Sequence, residues 1–126
     1  MKFKYSDQYN PPAPVLHVGI ETLNGIKHDL ELVIDTGFSG GVLLPMETYL
    51  ELGLSKWEVE DVYYGILPTG RNIPLYTAIS YIIVGKYRFL IHVHTSPLIN
   101  KSLAGRELLN RLRLILDGPN KTVYID

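Results

Sequence analysis

The stretch Leu30-Glu31-Leu32-Val33-Ile34-Asp35-Thr36-Gly37 places a carboxylate at the end of a strand-like apolar run. The segment Phe38-Ser39-Gly40-Gly41 follows it, and then a second apolar run, Val42-Leu43-Leu44. A carboxylate at the end of a buried strand is costly unless a partner holds it or the protein uses it. A triplet of the form Asp-(Ser/Thr)-Gly occurs by chance in roughly one chain in twenty of this length. Its meaning therefore depends on its setting and on a second motif.

That second motif is Leu103-Ala104-Gly105-Arg106-Glu107-Leu108-Leu109, which reads as two apolar residues, a glycine and the start of a helix. The order of strand, Asp-Thr-Gly, strand, middle hairpin and apolar-apolar-Gly before a helix resembles the retropepsin-like (clan AA) aspartic proteases. The resemblance spans about residues 15–126. Independently of the resemblance, many short strands with glycine turns favour a closed or nearly closed β-barrel. We expect a mostly β protein: a closed or nearly closed β-barrel of the retropepsin-like (acid protease) type, with one or two short helices.

The resemblance implies a role for each part of the two motifs. Asp35 is the expected catalytic carboxylate, and Thr36 supports a pair of such residues by hydrogen bonds between subunits. Gly37 exposes backbone groups for pairing with an extended substrate. The loop packed behind the active site is expected to consist of Leu103, Ala104, Gly105 and Arg106.

Two positions depart from the family pattern. Arginine at the position of Arg106 often pairs with a carboxylate in the family, but Ser39 occupies the matching position here. Pairing of Arg106 with Glu107, with Asp117 or with the C-terminus remains open. Phe38 stands where a small residue is common. Its ring narrows or fills nearby substrate subsites, or packs in the core, and the sequence leaves both alternatives open.

A single aspartate cannot hydrolyse a peptide by carboxylate chemistry. One group must take a proton from water while another gives a proton to the carbonyl oxygen, and two close carboxylates share one proton because like charges cannot both ionise. The chain has one Asp-Thr-Gly, and Asp117-Gly118 lacks the following apolar run. The sequence therefore predicts an aspartic endopeptidase that acts on extended peptides as a C2 homodimer. The alternatives are a non-proteolytic dimerisation or peptide-binding module with this fold, or Asp35 as a simple turn cap.

The segment Tyr63–Asn72 occupies the place of the family's flap. Gly65 and Gly70 permit it to flex, and a lid that excludes water suits this chemistry. Tyr64, Gly65 and Ile66, together with Gly37 and Phe38, are the predicted substrate contacts. An ordinary exposed hairpin is the alternative.

His92 and His94 lie two residues apart, so they face the same side of a strand. A zinc site needs a third ligand, and no nearby residue has the spacing of one. We predict no metal site and no cofactor.

Residues 1–14 are polar and end in Pro11-Pro12-Ala13-Pro14, which predicts a flexible or extended lead-in to one domain over residues 15–126.

Asn24-Gly25 predicts a hairpin with a type I′ turn. Helices are predicted over Met46–Leu52 and over residues 105–112, and a closing hairpin over residues 114–125.

Composition excludes several classes of function. The chain has 126 residues, a net charge of −1 and no cysteine, so disulfides, thiolate metal sites and cysteine catalysis are excluded. No basic excess points to nucleic acid, and the longest apolar stretch is about half of a membrane span. The segment Met1–Asp7 lacks the apolar core of a signal peptide, so a cytoplasmic location is expected.

Overall fold

The computed structural model describes all 126 residues. Strands hold 47% of the residues and helices 11%, which confirms a mostly β protein with two short helices. The strands are β1 (Lys2–Lys4), β2 (Val15–Glu21), β3 (Lys27–Ile34), β4 (Val42–Leu43), β5 (Tyr63–Ile66), β6 (Asn72–Val84), β7 (Tyr87–Thr95), β8 (Leu103–Ala104), β9 (Leu114–Asp117) and β10 (Thr122–Ile125). The helices are α1 (Met46–Glu51) and α2 (Arg106–Leu109), with one 3₁₀ turn over Leu54–Trp57.

Most strands join one ring-like sheet. Its order is β2-β3-β8-β4-β7-β6-β5, and β6 pairs again with β2, which closes the ring. The pairings β3–β8 and β4–β7 are parallel, and the others are antiparallel. Because side chains alternate along a strand, one face of each strand supplies the buried core. That core includes Leu16, Leu32, Ile82, Ile91 and Val93.

The β2–β3 hairpin forms where Asn24-Gly25 predicts it, but the type I′ turn is wrong. The loop has three residues, because the Thr22 N–H donates to the Ile26 carbonyl and the Gly25 N–H donates to the Thr22 carbonyl. Gly25 has φ +87, whereas Asn24 is not among the residues with positive φ. A type I turn followed by a left-handed glycine is the usual three-residue hairpin loop.

The N-terminal residues differ from the expected lead-in. Lys2–Lys4 form strand β1, which pairs with β10 at the other end of the chain. Ser6 is buried and bridges to Ala13. A three-residue strand with alternating lysines has no apolar pattern, and its partner is distant in sequence. Local sequence therefore gave no sign of this strand.

Both helices are shorter than predicted. Helix α1 ends at Glu51, and Gly53 follows with φ +69. Helix α2 ends at Leu109 instead of residue 112, because the N–H groups of Arg111 and Leu112 bond three residues back in tighter turns. Neither helix has the length and apolar character needed to cross a membrane.

Removing a core side chain from β3 tests this packing. Leu32 is fully buried, so Leu32→Ala should lower the free energy of unfolding by about 2–5 kcal/mol, through lost apolar burial and the cavity left behind. Ile66 is 76% exposed, and Ile66→Ala should change it by less than about 0.5 kcal/mol. Urea unfolding of both variants measures the difference. Equal effects would contradict the assignment of Leu32 to the core.

Candidate active site

The two sequence motifs meet in space. Asp35 directly follows β3, and its N–H donates to the Ala104 carbonyl of β8 at 2.9 Å. The Arg106 N–H, at the start of α2, donates to the Phe38 carbonyl at 2.8 Å. Residues 35–41 are therefore a loop held by its backbone against the Leu103–Arg106 segment.

Close backbone approach explains two glycines at this junction. A Cβ atom on Gly105 would lie 2.5 Å from Cδ2 of Phe38 and 2.8 Å from its carbonyl oxygen. A Cβ atom on Gly41 would lie 2.6 Å from the His92 carbonyl oxygen and 2.9 Å from Oε1 of Glu107. Larger residues at either place would push the loop away from its support.

The Asp35 carboxylate is half-buried at the mouth of the loop. Its Oδ1 accepts the Gly37 N–H at 2.9 Å, which is the hydrogen bond of a turn cap. No cation pairs with it. Arg106 instead donates Nη1 to the Thr36 carbonyl at 2.7 Å, so none of its three expected partners is used. The arginine thus supports the backbone of the Asp-Thr-Gly triplet.

A cleft of about 250 Å³ opens between Asp35 and β5. Its walls are mainly apolar and consist of Asp35, Gly37, Phe38, Ser39, Leu43, Tyr64, Gly65, Ile66, Leu67, Ile73, Leu75, Ile99 and Leu103. All five predicted substrate contacts are in this set. Thr36, Ala104, Gly105 and Arg106 are not.

Besides Ser39, sequence reasoning missed five apolar lining residues: Leu43, Leu67, Ile73, Leu75 and Ile99. They come from separate segments and are ordinary apolar residues in the sequence. No local signal distinguishes them from core residues, because their position depends on how the strands pair.

A second, polar pocket of about 300 Å³ lies on the other side of Phe38. Within it, Nδ1 of His92 lies 3.0 Å from Oε2 of Glu107, and Nε2 lies 3.2 Å from the Tyr63 hydroxyl. The His92 and His94 rings stack with centroids 6.3 Å apart, which confirms that they face the same side of β7. His92 therefore links Tyr63, on strand β5, to helix α2.

His94 is buried behind Phe38. Its Nδ1 lies 2.7 Å from the Thr77 hydroxyl, and its ring meets that of Phe38 edge to face with centroids 5.8 Å apart. Burial, helped by neighbouring His92, lowers the pKa of His94 to about 4. The imidazole is therefore neutral near neutral pH.

A larger groove of about 660 Å³ lies elsewhere, along the outer side of the β2–β3 hairpin. It contains an exposed pair, with Nε2 of His17 3.6 Å from Oε2 of Glu31. This groove is open to solvent, and none of its lining residues belongs to the Asp-Thr-Gly loop or to the Leu103–Arg106 segment. Chemistry and not size therefore selects the Asp35 cleft as the candidate site.

Comparison with known proteins gives agreement in structure but not in sequence. No protein-family model and no curated protein sequence matches the chain. Among solved structures, a retropepsin-like aspartic protease from Rickettsia conorii aligns with a TM-score of 0.61 and 18% identity, covering 100% of this chain and 91% of that one. EIAV protease complexed with the inhibitor HBY-793 aligns with a TM-score of 0.58 and 21% identity, covering 86% of this chain and 93% of that one. The retroviral protease-like domain of Ddi1 from Leishmania major aligns with a TM-score of 0.55 and 10% identity, covering 90% of this chain and 91% of that one.

These three similarities define the class of the fold. The chain has the retropepsin-like fold over nearly its whole length.

Titration of His94 should make the protein less stable in acid. The folded-state pKa of about 4 lies below the ordinary value of 6.5, so the unfolded chain takes up the proton first as the pH falls. This contribution to stability is complete above about pH 6.5 and is lost as the pH falls towards 4. Between pH 7.5 and 5 it amounts to about 2 kcal/mol.

His94→Asn removes this titration. Urea unfolding at several pH values should show a smaller loss of stability in acid for His94→Asn than for the unmodified chain. His28→Asn, at an exposed position of β3, should retain the full loss. Parallel pH curves for His94→Asn and the unmodified chain would contradict the prediction.

Proposed function

We propose that this protein is an aspartic endopeptidase that is active as a homodimer. Each subunit supplies one Asp35, and the two carboxyl groups together hold one proton and one water molecule. The observation that carries this proposal is the meeting of the two motifs. The Asp35 loop is supported from behind by Ala104 and Arg106, and it faces a cleft covered by Tyr64, Gly65 and Ile66.

The chemistry follows from two carboxyl groups that share a proton. The ionised carboxylate takes a proton from the water, whose oxygen attacks the peptide carbonyl carbon. The protonated carboxyl gives its proton to the carbonyl oxygen, which forms a tetrahedral diol. Collapse of the diol breaks the C–N bond as the amide nitrogen takes up a proton. Two identical loops related by a two-fold axis supply such a pair from a chain with a single triplet.

Substrate binding follows from the walls of the cleft. The unpaired outer edge of β5 and the exposed backbone of Gly37 offer hydrogen bonds to an extended peptide. Apolar side chains such as Leu43, Ile73 and Ile99 offer pockets for its side chains. Tyr64 and Ile66 are 65% and 76% exposed, and closure of β5 over a peptide would bury them and exclude water.

Asp35→Asn tests the catalytic assignment. It should lower the rate of peptide cleavage by at least about a thousandfold, since general acid and general base roles are each worth about 10²–10⁴ and the change affects both subunits. The fold should survive, because an asparagine oxygen can still accept the Gly37 N–H. Asp29→Asn, an exposed carboxylate on the same strand, is the matched control and should keep full activity.

The same variant separates the proposal from a non-proteolytic peptide-binding module. A binding module should keep its affinity for partner peptides in Asp35→Asn and should cleave nothing before the change. If Asp35→Asn keeps full cleavage activity, the catalytic assignment is wrong. If it unfolds the chain at both pH 5 and pH 7.5, Asp35 is a structural turn cap.

The rate of cleavage should have its maximum below neutral pH, because the pair works only while one of the two carboxyl groups is protonated. A transition-state analogue with a central hydroxyl should inhibit, since that group replaces the attacking water. Steady-state rates between pH 3.5 and 8.5 measure the profile. A rate that keeps rising above pH 8 would show different chemistry.

A further inference from the structure

The polar pocket beside Phe38 contains a single carboxylate, that of Glu107, and no lysine or arginine lines it. Most of its wall is made of aromatic rings, which belong to Phe38, Tyr63, Tyr64, His92 and His94. The faces of phenyl and phenol rings attract cations, and a carboxylate forms strong charge-assisted hydrogen bonds with them. The lining of this pocket therefore complements a positively charged organic group.

The Glu107 carboxylate is fixed in position but not fully used. Its Oε2 lies 3.0 Å from Nδ1 of His92 and accepts the His92 N–H at 3.4 Å. His92 is held in turn by the Tyr63 hydroxyl, 3.2 Å from Nε2. One third of the Glu107 side chain is exposed, at 33%. Because an ionised carboxylate has about four acceptor positions, these contacts leave lone pairs for a donor that enters the pocket.

The pocket also contains a polar atom without a partner in the chain. His94 lines the pocket although it is only 2% exposed. Its Nδ1 lies 2.7 Å from the Thr77 hydroxyl, whereas its Nε2 makes no hydrogen bond within the chain. Buried polar atoms are normally hydrogen-bonded, to protein, water or ligand. A polar occupant is therefore favoured over an apolar one.

This pocket adjoins the Asp35 cleft. Four residues line both spaces, namely Phe38, Ser39, Tyr64 and Leu75. A peptide extended along β5 presents its side chains alternately to opposite faces. Such a peptide can place apolar side chains in the cleft and one neighbouring side chain in the pocket.

We propose that the polar pocket is a substrate subsite for a lysine or arginine side chain, with Glu107 as the residue that determines this specificity. The apolar stem of the basic side chain packs on Phe38 and Leu75, and its charged end reaches the Glu107 carboxylate. The inference deepens the proposed function and rests on it for the peptide in the cleft. It defines the substrate as an extended peptide with a basic residue beside apolar ones.

Other side chains fit this pocket less well. An acidic side chain would meet the like charge of Glu107, and an apolar one would remove water from the carboxylate without replacing its hydrogen bonds. Both costs fall on the wrong peptide and not on the right one, so the pocket discriminates by charge.

Peptide binding to the Asp35→Asn variant tests the subsite without cleavage. Peptides with apolar residues around the central bond carry lysine, norleucine or glutamate at one position, and the neighbouring positions are varied in turn. Norleucine has the four-carbon stem of lysine without the ammonium group. Fluorescence anisotropy at pH 7.5 should show, at one position, about tenfold tighter binding of lysine than of norleucine. Glutamate should bind less tightly than both.

Glu107 is then changed in the same Asp35→Asn background. Glu107→Gln retains an oxygen that accepts from His92 but removes the charge, and it should reduce the preference for lysine over norleucine to about twofold or less. Glu107→Lys should reverse the order, so that the glutamate peptide binds more tightly than the lysine peptide. A misfolded chain cannot acquire this reversed preference.

Glu51→Gln is the matched control. Glu51 is an exposed carboxylate on α1 that lines neither the pocket nor the cleft. Its replacement changes the net charge by the same amount as Glu107→Gln, and the preference for lysine should remain. Circular dichroism verifies the fold of each variant.

The outcomes separate this subsite from the proposed function. The absence of a position that prefers lysine, a preference that survives Glu107→Gln, or a failure to bind any of the peptides would each overturn the subsite. Cleavage by the unmodified chain is measured on the same peptides. Cleavage with no preference for lysine would overturn the subsite and leave the enzymatic proposal standing. A preference in binding that depends on Glu107, with no cleavage, would leave the subsite standing without the enzyme.

Discussion

The backbone hydrogen bonds between the Asp35 loop and the start of α2 are the constraint on which the rest of the site depends. Strand β8 lies between β3 and β4 in the sheet, so residues 35–41 must cross over it. The first N–H groups of a helix lack partners within the helix, and here Arg106 and Glu107 donate theirs to the Phe38 and Gly40 carbonyls. The loop carbonyls accept the first N–H groups of the helix, and the same hydrogen bonds fix the conformation of the loop that begins at Asp35.

Phe38 divides the region around this loop into two environments. On one side lies the apolar cleft that contains Asp35, and on the other the polar pocket with His92, His94 and Glu107. Its ring lines both spaces, which is compatible with each of the two alternatives for Phe38, subsite wall and packed residue. Burial of His94 in the polar pocket limits how acidic the medium can be for the proposed chemistry. Acid favours a half-protonated pair of carboxyl groups, but it also protonates His94 in the unfolded chain and so lowers the free energy of unfolding.

Closure of the main sheet leaves few open edges. Because β6 pairs with both β7 and β2, β5 is the one strand of that sheet with a single partner strand, and it lines the cleft. In the small sheet the edges are β1, which carries lysines, and β9, which carries exposed apolar residues. These edges thus differ in chemical character, and strand addition at β5 accounts for the proposed substrate contact.

The sequence alone determined most of the local elements and the position of the candidate carboxylate. The apolar run before Asp35, the glycines after it and the helix start at Arg106 were sufficient to predict a retropepsin-like, mostly β fold and to place a carboxylate at a strand end. These features depend on residues that are close in the chain. The type I′ turn failed because Asn24-Gly25 is compatible with two loop lengths, and hydrogen bonds of Thr22 decided between them.

Only the tertiary structure decided which distant residues surround that carboxylate. The partner of Arg106 is the Thr36 carbonyl, which no charge pattern could indicate because every backbone carbonyl looks alike in a sequence. Leu43, Ile73 and Ile99 line the cleft through strand pairing, and β1 exists because β10 offers it an edge. Contacts between residues far apart in the chain depend on strand register and on backbone groups, and residue type specifies neither.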